Sequence, residues 1–165
     1  MLPNVIEKEA VIVPCLPGEG RDPYVDGPRL ARARQRDVTF LAISRAPLPK
    51  IEAFKKRMGW AFKWVSSFGN DFNYDYRVSF RPEESSSGEI IYNYAPRKTT
   101  MEELPGISVF YKESDGRIFH TYSCYARGLD MLNGAYHWLD LTPKGRDETG
   151  PHKMAWVRLH DEYEW

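Results

Sequence analysis

The clearest pattern in the chain is Asp37 to Ile43, which reads Asp-Val-Thr-Phe-Leu-Ala-Ile. Its nearly continuous apolar and β-branched side chains are those of a central strand covered on both faces. A shorter run of the same kind, Glu9 to Val13, is closed by Pro14 and Cys15 and reads as a buried strand ending in a turn. Between the two, Leu16 to Gly27 carries Pro17, Gly18, Gly20, Pro23 and Gly27, too many breakers for a regular element. Asp26-Gly27-Pro28 then supplies a cap and an early proline for a short helix over Leu30 to Arg36. Its arginines read as a solvated face, since no aromatic residues are interleaved with them. After the central strand, Ile51, Phe54 and Met58 recur three and four apart, with basic residues between them and Gly59 as a stop. This spacing predicts an amphipathic helix over Lys50 to Met58 whose basic end suits its dipole. Trp60, Phe62 and Trp64 alternate with Ala61 and Lys63, the period of a strand with an aromatic core face.

Further along, Ser66 to Tyr76 reads as a turn region and Arg81 to Glu89, with its Glu-Glu-Ser-Ser-Ser-Gly patch, as a mobile surface loop. Ile107 to Tyr111 and Arg117 to Ser123 are β-rich runs flanking Asp115-Gly116, a hairpin signature. Leu129, Leu132, Tyr136 and Leu139 follow at helical spacing up to Pro143, predicting one long closing helix. The tail from Trp156 has no usable period. The order of strand, helix, strand, helix, inserted region, hairpin and helix is that of a single α/β domain with a thioredoxin-like fold. In it, crossovers build the parallel part of a mixed sheet and the hairpin builds the antiparallel part. Residues 81–106 form the insertion and 1–36 the atypical N-terminal part.

Composition narrows the function. The 165 residues are 42% hydrophobic and 28% charged, enough to fold around a core rather than remain disordered. Lys plus Arg and Asp plus Glu are 23 each, so no net basic field gathers nucleic acid or an anionic membrane. With no apolar run near ~20 residues and no leader-like start in Met1 to Ala10, the expectation is a soluble cytoplasmic protein. Cys15 and Cys124 are the only two cysteines and lie far apart, which makes neither a zinc cluster nor a disulfide framework. His152, His160 and Asp161 lack a metal spacing, and Gly18-Glu19-Gly20 lacks the lysine and hydroxyl of a phosphate loop. No cofactor or metal is expected.

A set of blocks carries a resemblance: Asp37 to Leu48, Arg57-Met58-Gly59-Trp60, Trp64-Val65-Ser66-Ser67, Asp71 to Asp75, Gly116 to Ser123, Ala126 to Asp130 and Leu139 to Glu148. Together they resemble an uncharacterised family of thioredoxin-like proteins, a domain of unknown function described as predicted dithiol-disulfide oxidoreductases. The resemblance runs from about Arg36 to the C-terminus and implies a thiol or disulfide substrate. Members usually carry a Cys-Pro-x-Cys type motif upstream of the Arg-Asp-Val-Thr block. Here Cys15-Leu16-Pro17-Gly18 stands in that place, with Gly18 where the second cysteine would be. The segment before Arg36 is unlike the family, as in a shortened or misjoined gene product. Two readings follow: a monothiol oxidoreductase acting through Cys15, or a non-catalytic binding or scaffold domain that has lost its dithiol.

In a thioredoxin-like sheet, four strand ends share one edge, and here they carry Cys15, Ser44-Arg45, Leu104-Pro105-Gly106 and Cys124-Tyr125-Ala126-Arg127. Cys15 is the candidate nucleophile, because a thiolate is the reactive form; its structural alternative is a small hydrophobe filling a turn. Arg45 would stabilise the thiolate or grip a carboxylate, or else bridge to a nearby acid such as Asp71. Arg127 would line the edge or, as its surface role, pair with Asp130. Ser44 and Pro105 are edge-lining candidates. Cys124 is either a buried structural cysteine or, if the fold brings it close enough, a distant resolving thiol for Cys15. His120 fits a packed, hydrogen-bonded residue better than a general base, since spacing alone sets no nucleophile beside it.

Overall fold

A computed structural model describes residues 10–15, 36–86, 88–150 and 153–164. The strands are β1 (Ala10–Cys15), β2 (Val38–Ser44), β3 (Lys63–Ser66), β4 (Ile90–Tyr92), β5 (Ala95–Arg97), β6 (Gly106–Lys112) and β7 (Ile118–Tyr125). The α-helices are α1 (Leu48–Met58), α2 (Phe72–Asp75), α3 (Pro82–Ser86) and α4 (Gly134–Leu139). Five strands form one sheet in the order β3-β2-β1-β6-β7, and β4 and β5 form a separate hairpin. β1, β2 and β3 are parallel, β6 runs antiparallel to β1, and β7 runs antiparallel to β6. This is the mixed sheet of an α/β thioredoxin-like domain. The loop expected over Leu16 to Gly27 and the helix expected from Leu30 lie outside the described residues.

β2 is covered on both faces because its apolar run leaves no polar face. Phe40 and Ala42 enter one cluster with Ala46, Ile51, Phe62 and Trp64, while Leu41 and Ile43 enter another with Phe110, supported by Phe72, Tyr76 and Val65. In the first cluster the Phe62 and Trp64 rings stack at 6.0 Å and Phe40 meets Phe62 edge-on at 5.6 Å. Each such side chain contributes about 1.5–3 kcal/mol on burial. α1 seals this face with Ile51 and Met58 and stops at Gly59, whose φ of 66° suits glycine.

Four expectations change. The strand at Lys63–Ser66 is shorter than the aromatic alternation suggests, although Phe62 is buried and Trp60 packs on its cluster. β1 runs through Pro14 to Cys15 instead of turning there, and Pro14 stands in register with Ile107. Arg81 to Glu89 is not a structureless loop, because it holds α3, whose start is bound by the Arg81 amide donating to Glu84 Oε2 at 2.9 Å. The single long closing helix is two pieces, a 3-10 helix (Ala126–Leu132) and α4. Asn133 separates them in an extended conformation, and its side chain accepts the Ala135 amide, capping α4 and ending the first piece.

The insertion packs across one end of the sheet. There Ile90 and Tyr92 cluster with Val78, Phe80 and Tyr125, and Ser79 bridges to Glu103. The Phe80 amide donates to the Glu102 carbonyl at 3.0 Å and the Leu104 amide to the Val78 carbonyl at 2.9 Å, which fixes the approach to β6. Among the described residues, no helix is long and apolar enough to cross a membrane.

Candidate active site

The register brings the anticipated strand ends to one edge. Cys15 ends β1 and stands in register with Ile43 on β2 and Gly106 on β6; Gly106 in turn pairs with Tyr125 on β7. Ser44 pairs with Ser66 at the same edge. β6 approaches β7 this closely because residue 106 is glycine: a Cβ there would sit 2.7 Å from Val78 Cγ1 and 2.9 Å from the Tyr125 ring.

The edge residues differ in what they offer. Ser44 is fully buried, and its hydroxyl accepts the Trp64 indole N–H at 3.1 Å, so it braces the core and lines no surface. The Pro105 carbonyl accepts the Tyr92 hydroxyl at 2.6 Å, and the Tyr92 oxygen takes the Ala126 amide at 2.9 Å. Tyr92 thereby ties the entry to β6 to the exit from β7, and burial pushes its phenol up to about 12. Arg127 is engaged at the surface as anticipated, 3.0 Å from Asp130 and 3.7 Å from Glu148.

Cys124 is a buried cysteine packed with Ile107, Leu129 and Leu132, and its thiol points 3.7 Å from the Gly128 carbonyl. Burial pushes that thiol up, against a smaller opposing effect of the Tyr122 hydroxyl. It does not meet Cys15. Cys124 pairs with Ile107, which pairs with Pro14, so β6 lies between the two cysteines. Two strand spacings amount to roughly 9–10 Å, beyond the ~7 Å Cα separation that a disulfide tolerates. The distant resolving role is thus corrected by the order of the strands.

Arg45 stands just past the end of β2, two residues beyond the partner of Cys15. The acid near it is not Asp71 but Glu103, at 3.9 Å, while Asp71 holds Arg81 at 3.1 Å. The Arg45 guanidinium lies 4.7 Å from the centre of the Tyr74 ring, and Arg81 lies 4.6 Å from the same ring. Its Nε is buried with no hydrogen-bond partner among the described residues. The chain itself sets Tyr74 there. The Ser67 hydroxyl donates to buried Asn73 Oδ1 at 2.7 Å, and the Asn73 carbonyl accepts the amides of Val78 and Ser79, folding 71–79 into a tight hook. Tyr74, Arg81, Glu103 and Tyr92 were not singled out from the sequence. They are 29 to 58 residues from Arg45 in sequence, and no local periodicity links positions so far apart.

His120 is not the free base of a catalytic pair. Its ring packs against Tyr76 and Phe110, and Nε2 lies 3.0 Å from the Tyr122 carbonyl and 2.7 Å from Ser123 Oγ. Nε2 is held between a carbonyl and a hydroxyl of its own strand, so the ring is a packed, hydrogen-bonded part of β7. A register irregularity between Val109 and Phe110 is what allows residues three apart on β7 to meet. Among the described residues, no group of three or more His, Cys, Asp or Glu side chains is placed to hold a metal ion.

The family model described as "Bacterial protein of unknown function (DUF899)" matches residues 25–163. The chain belongs to that family. No curated protein matches it. Among solved structures, it is similar to a cysteine-to-serine mutant of Xanthomonas campestris Peroxiredoxin Q, 12% identical over 82% of each chain with a TM-score of 0.49. It is also similar to the Xanthomonas campestris bacterioferritin comigratory protein, 12% identical over 82% of this chain and 81% of that one, with a TM-score of 0.45. A secreted Mycobacterium tuberculosis disulfide oxidoreductase homologous to E. coli DsbE is 15% identical over 79% of this chain and 82% of its own, with a TM-score of 0.40.

Proposed function

We propose that the protein is a monothiol thiol-disulfide oxidoreductase acting through Cys15, with Arg45 as its electrostatic support. The observation that carries the reading is the register of β1. Cys15 is the last residue of the central parallel strand, at the edge to which Arg45 also comes. Ligands of open α/β sheets bind at such an edge. A guanidinium beside a thiol favours the thiolate, which is the attacking form. The thiolate sulfur attacks one sulfur of a disulfide, the Cys15–S bond forms as the S–S bond breaks, and the other half leaves as a thiolate. With no neighbouring cysteine, release requires a second, external thiol to attack the mixed disulfide. A reducing cytoplasm supplies such thiols. The substrate is a protein or small-molecule disulfide.

The second reading, a binding or scaffold domain without turnover, is favoured by Gly18 in place of the second cysteine and by the burial of Cys124. Reduction of hydroxyethyl disulfide by glutathione, followed with wild type and Cys15→Ser, separates the two. The monothiol reading expects turnover that Cys15→Ser abolishes; equal rates support the scaffold.

A further inference from the structure

We infer that the Arg45–Tyr74 corner is a carboxylate-binding subsite, so that the disulfide taken by this protein carries a carboxylate close to its sulfur. This rests on the reading of Cys15 as the reacting thiol, and deepens it by naming the substrate class. The first support is the way Arg45 is left. Arginines paired to an acid elsewhere in the fold make at least one close contact, and two of them reach full fork geometry: Arg57 holds Asp161 at 2.8 and 3.0 Å, and Arg146 holds Asp140 at 2.6 and 2.7 Å. Arg45 instead has Glu103 at 3.9 Å, outside hydrogen-bond range, and a buried Nε with no hydrogen-bond partner among the described residues. A buried guanidinium N–H without an acceptor is costly, and a carboxylate matches its planar fork.

The second support is the seating of the guanidinium. Tyr74 lies beneath it at 4.7 Å and also carries Arg81 at 4.6 Å, so a second cation borders the same ring. Glu103 is held back by its own segment, since it accepts the Ser79 hydroxyl at 3.3 Å and residue 103 bridges to residue 79. The third is reach. Arg45 follows Ile43 by two residues, about 7 Å along the strand direction from the Cys15 register. A disulfide with its carboxylate one carbon from sulfur spans such a gap. Attack by the Cys15 thiolate then proceeds as above: the mixed disulfide forms on Cys15, the carboxylate-bearing half that is released departs as a thiolate, and an external thiol frees the enzyme.

The test compares mixed-disulfide formation on Cys15 with dithiodiglycolate, hydroxyethyl disulfide and cystamine, read by mass and normalised to free cysteine. Wild type should favour the dianionic disulfide over the neutral one by roughly tenfold or more, as for a hydrogen bond to a charged group. Arg45→Gln should collapse that ratio and Arg45→Lys restore part of it. Glu103→Gln, removing the competing charge, should raise it. If Arg45 acts only on the thiolate, all three disulfides slow by the same factor and the inference fails while the Cys15 reading survives. The second arm is independent of Cys15 reactivity. In Cys15→Ser, thiodiglycolate, which cannot exchange, should shift the Arg45 Nε–H resonance saturably. A resonance that does not respond overturns the inference even where no disulfide reacts with the protein.

Discussion

At the residue scale, the chain depends on a few side chains that close the edge, and Gly106 is the least replaceable. A methyl group there meets Val78 and the Tyr125 ring below 3.0 Å, so Gly106→Ala should destabilise the fold by about 1–3 kcal/mol in urea unfolding. Tyr92 makes a second test. Its hydroxyl serves both the Pro105 carbonyl and the Ala126 amide, and Tyr92→Phe leaves both without that partner, costing about 1–3 kcal/mol. The phenol titrates near 10.0 when unfolded and at about 12 when folded. The neutral form is thus favoured in the native state: its stabilisation is intact below pH 10 and declines as pH rises through 12. The alkaline fall in thermal midpoint should be shallower in Tyr92→Phe than in wild type. Such residues were hard to read in advance. Cys15 and Arg45 stood out because chemistry and strand ends coincide in the sequence, but Tyr74 and Tyr92 act through contacts between segments distant in sequence, and tyrosines in a Tyr-rich chain carry no mark of that role.

Among elements, those whose pattern is both periodic and tightly packed were legible: β2, α1 and the β6–β7 hairpin follow directly from their apolar spacing. The closing helix did not. Leu129, Leu132 and Tyr136 keep helical spacing, yet Asn133 between them spends its side chain on the Ala135 amide and breaks the helix, a local competition that periodicity does not register. The exit from β7 shows a related effect. Ala126 has a φ of 49°, a left-handed conformation unfavourable for a residue with a Cβ, and the Tyr92 hydroxyl holds its amide. Ala126→Gly should therefore be neutral or stabilising by up to about 1 kcal/mol in thermal unfolding, in contrast to Gly106→Ala. The C-terminal segment is fastened to α1 by Arg57 and Asp161, an exposed pair that salt weakens. Arg57→Ala should speed amide exchange in residues 153–164 while leaving the global unfolding midpoint almost unchanged.

The whole molecule decides what the two cysteines can do. The β3-β2-β1-β6-β7 order was implicit in the alternation of elements, and with it the shared edge, but not the fact that a full strand separates Cys15 from Cys124. Cys124 is packed with Ile107 and Leu129, which keeps its thiol in the core. On the proposed function Cys15 is the single reactive thiol, made reactive by the folded edge. The most direct measurement is a timed reaction with hydroxyethyl disulfide at pH 7, acid-quenched and peptide-mapped under non-reducing conditions, for the native chain and for the chain unfolded in urea. The account predicts that the native chain forms its adduct on the Cys15 peptide faster than the unfolded chain does, with Cys124 unmodified until unfolding and no Cys15–Cys124 disulfide. A Cys15 adduct that forms no faster in the native chain than in urea, or a native chain modified first at Cys124, would contradict it.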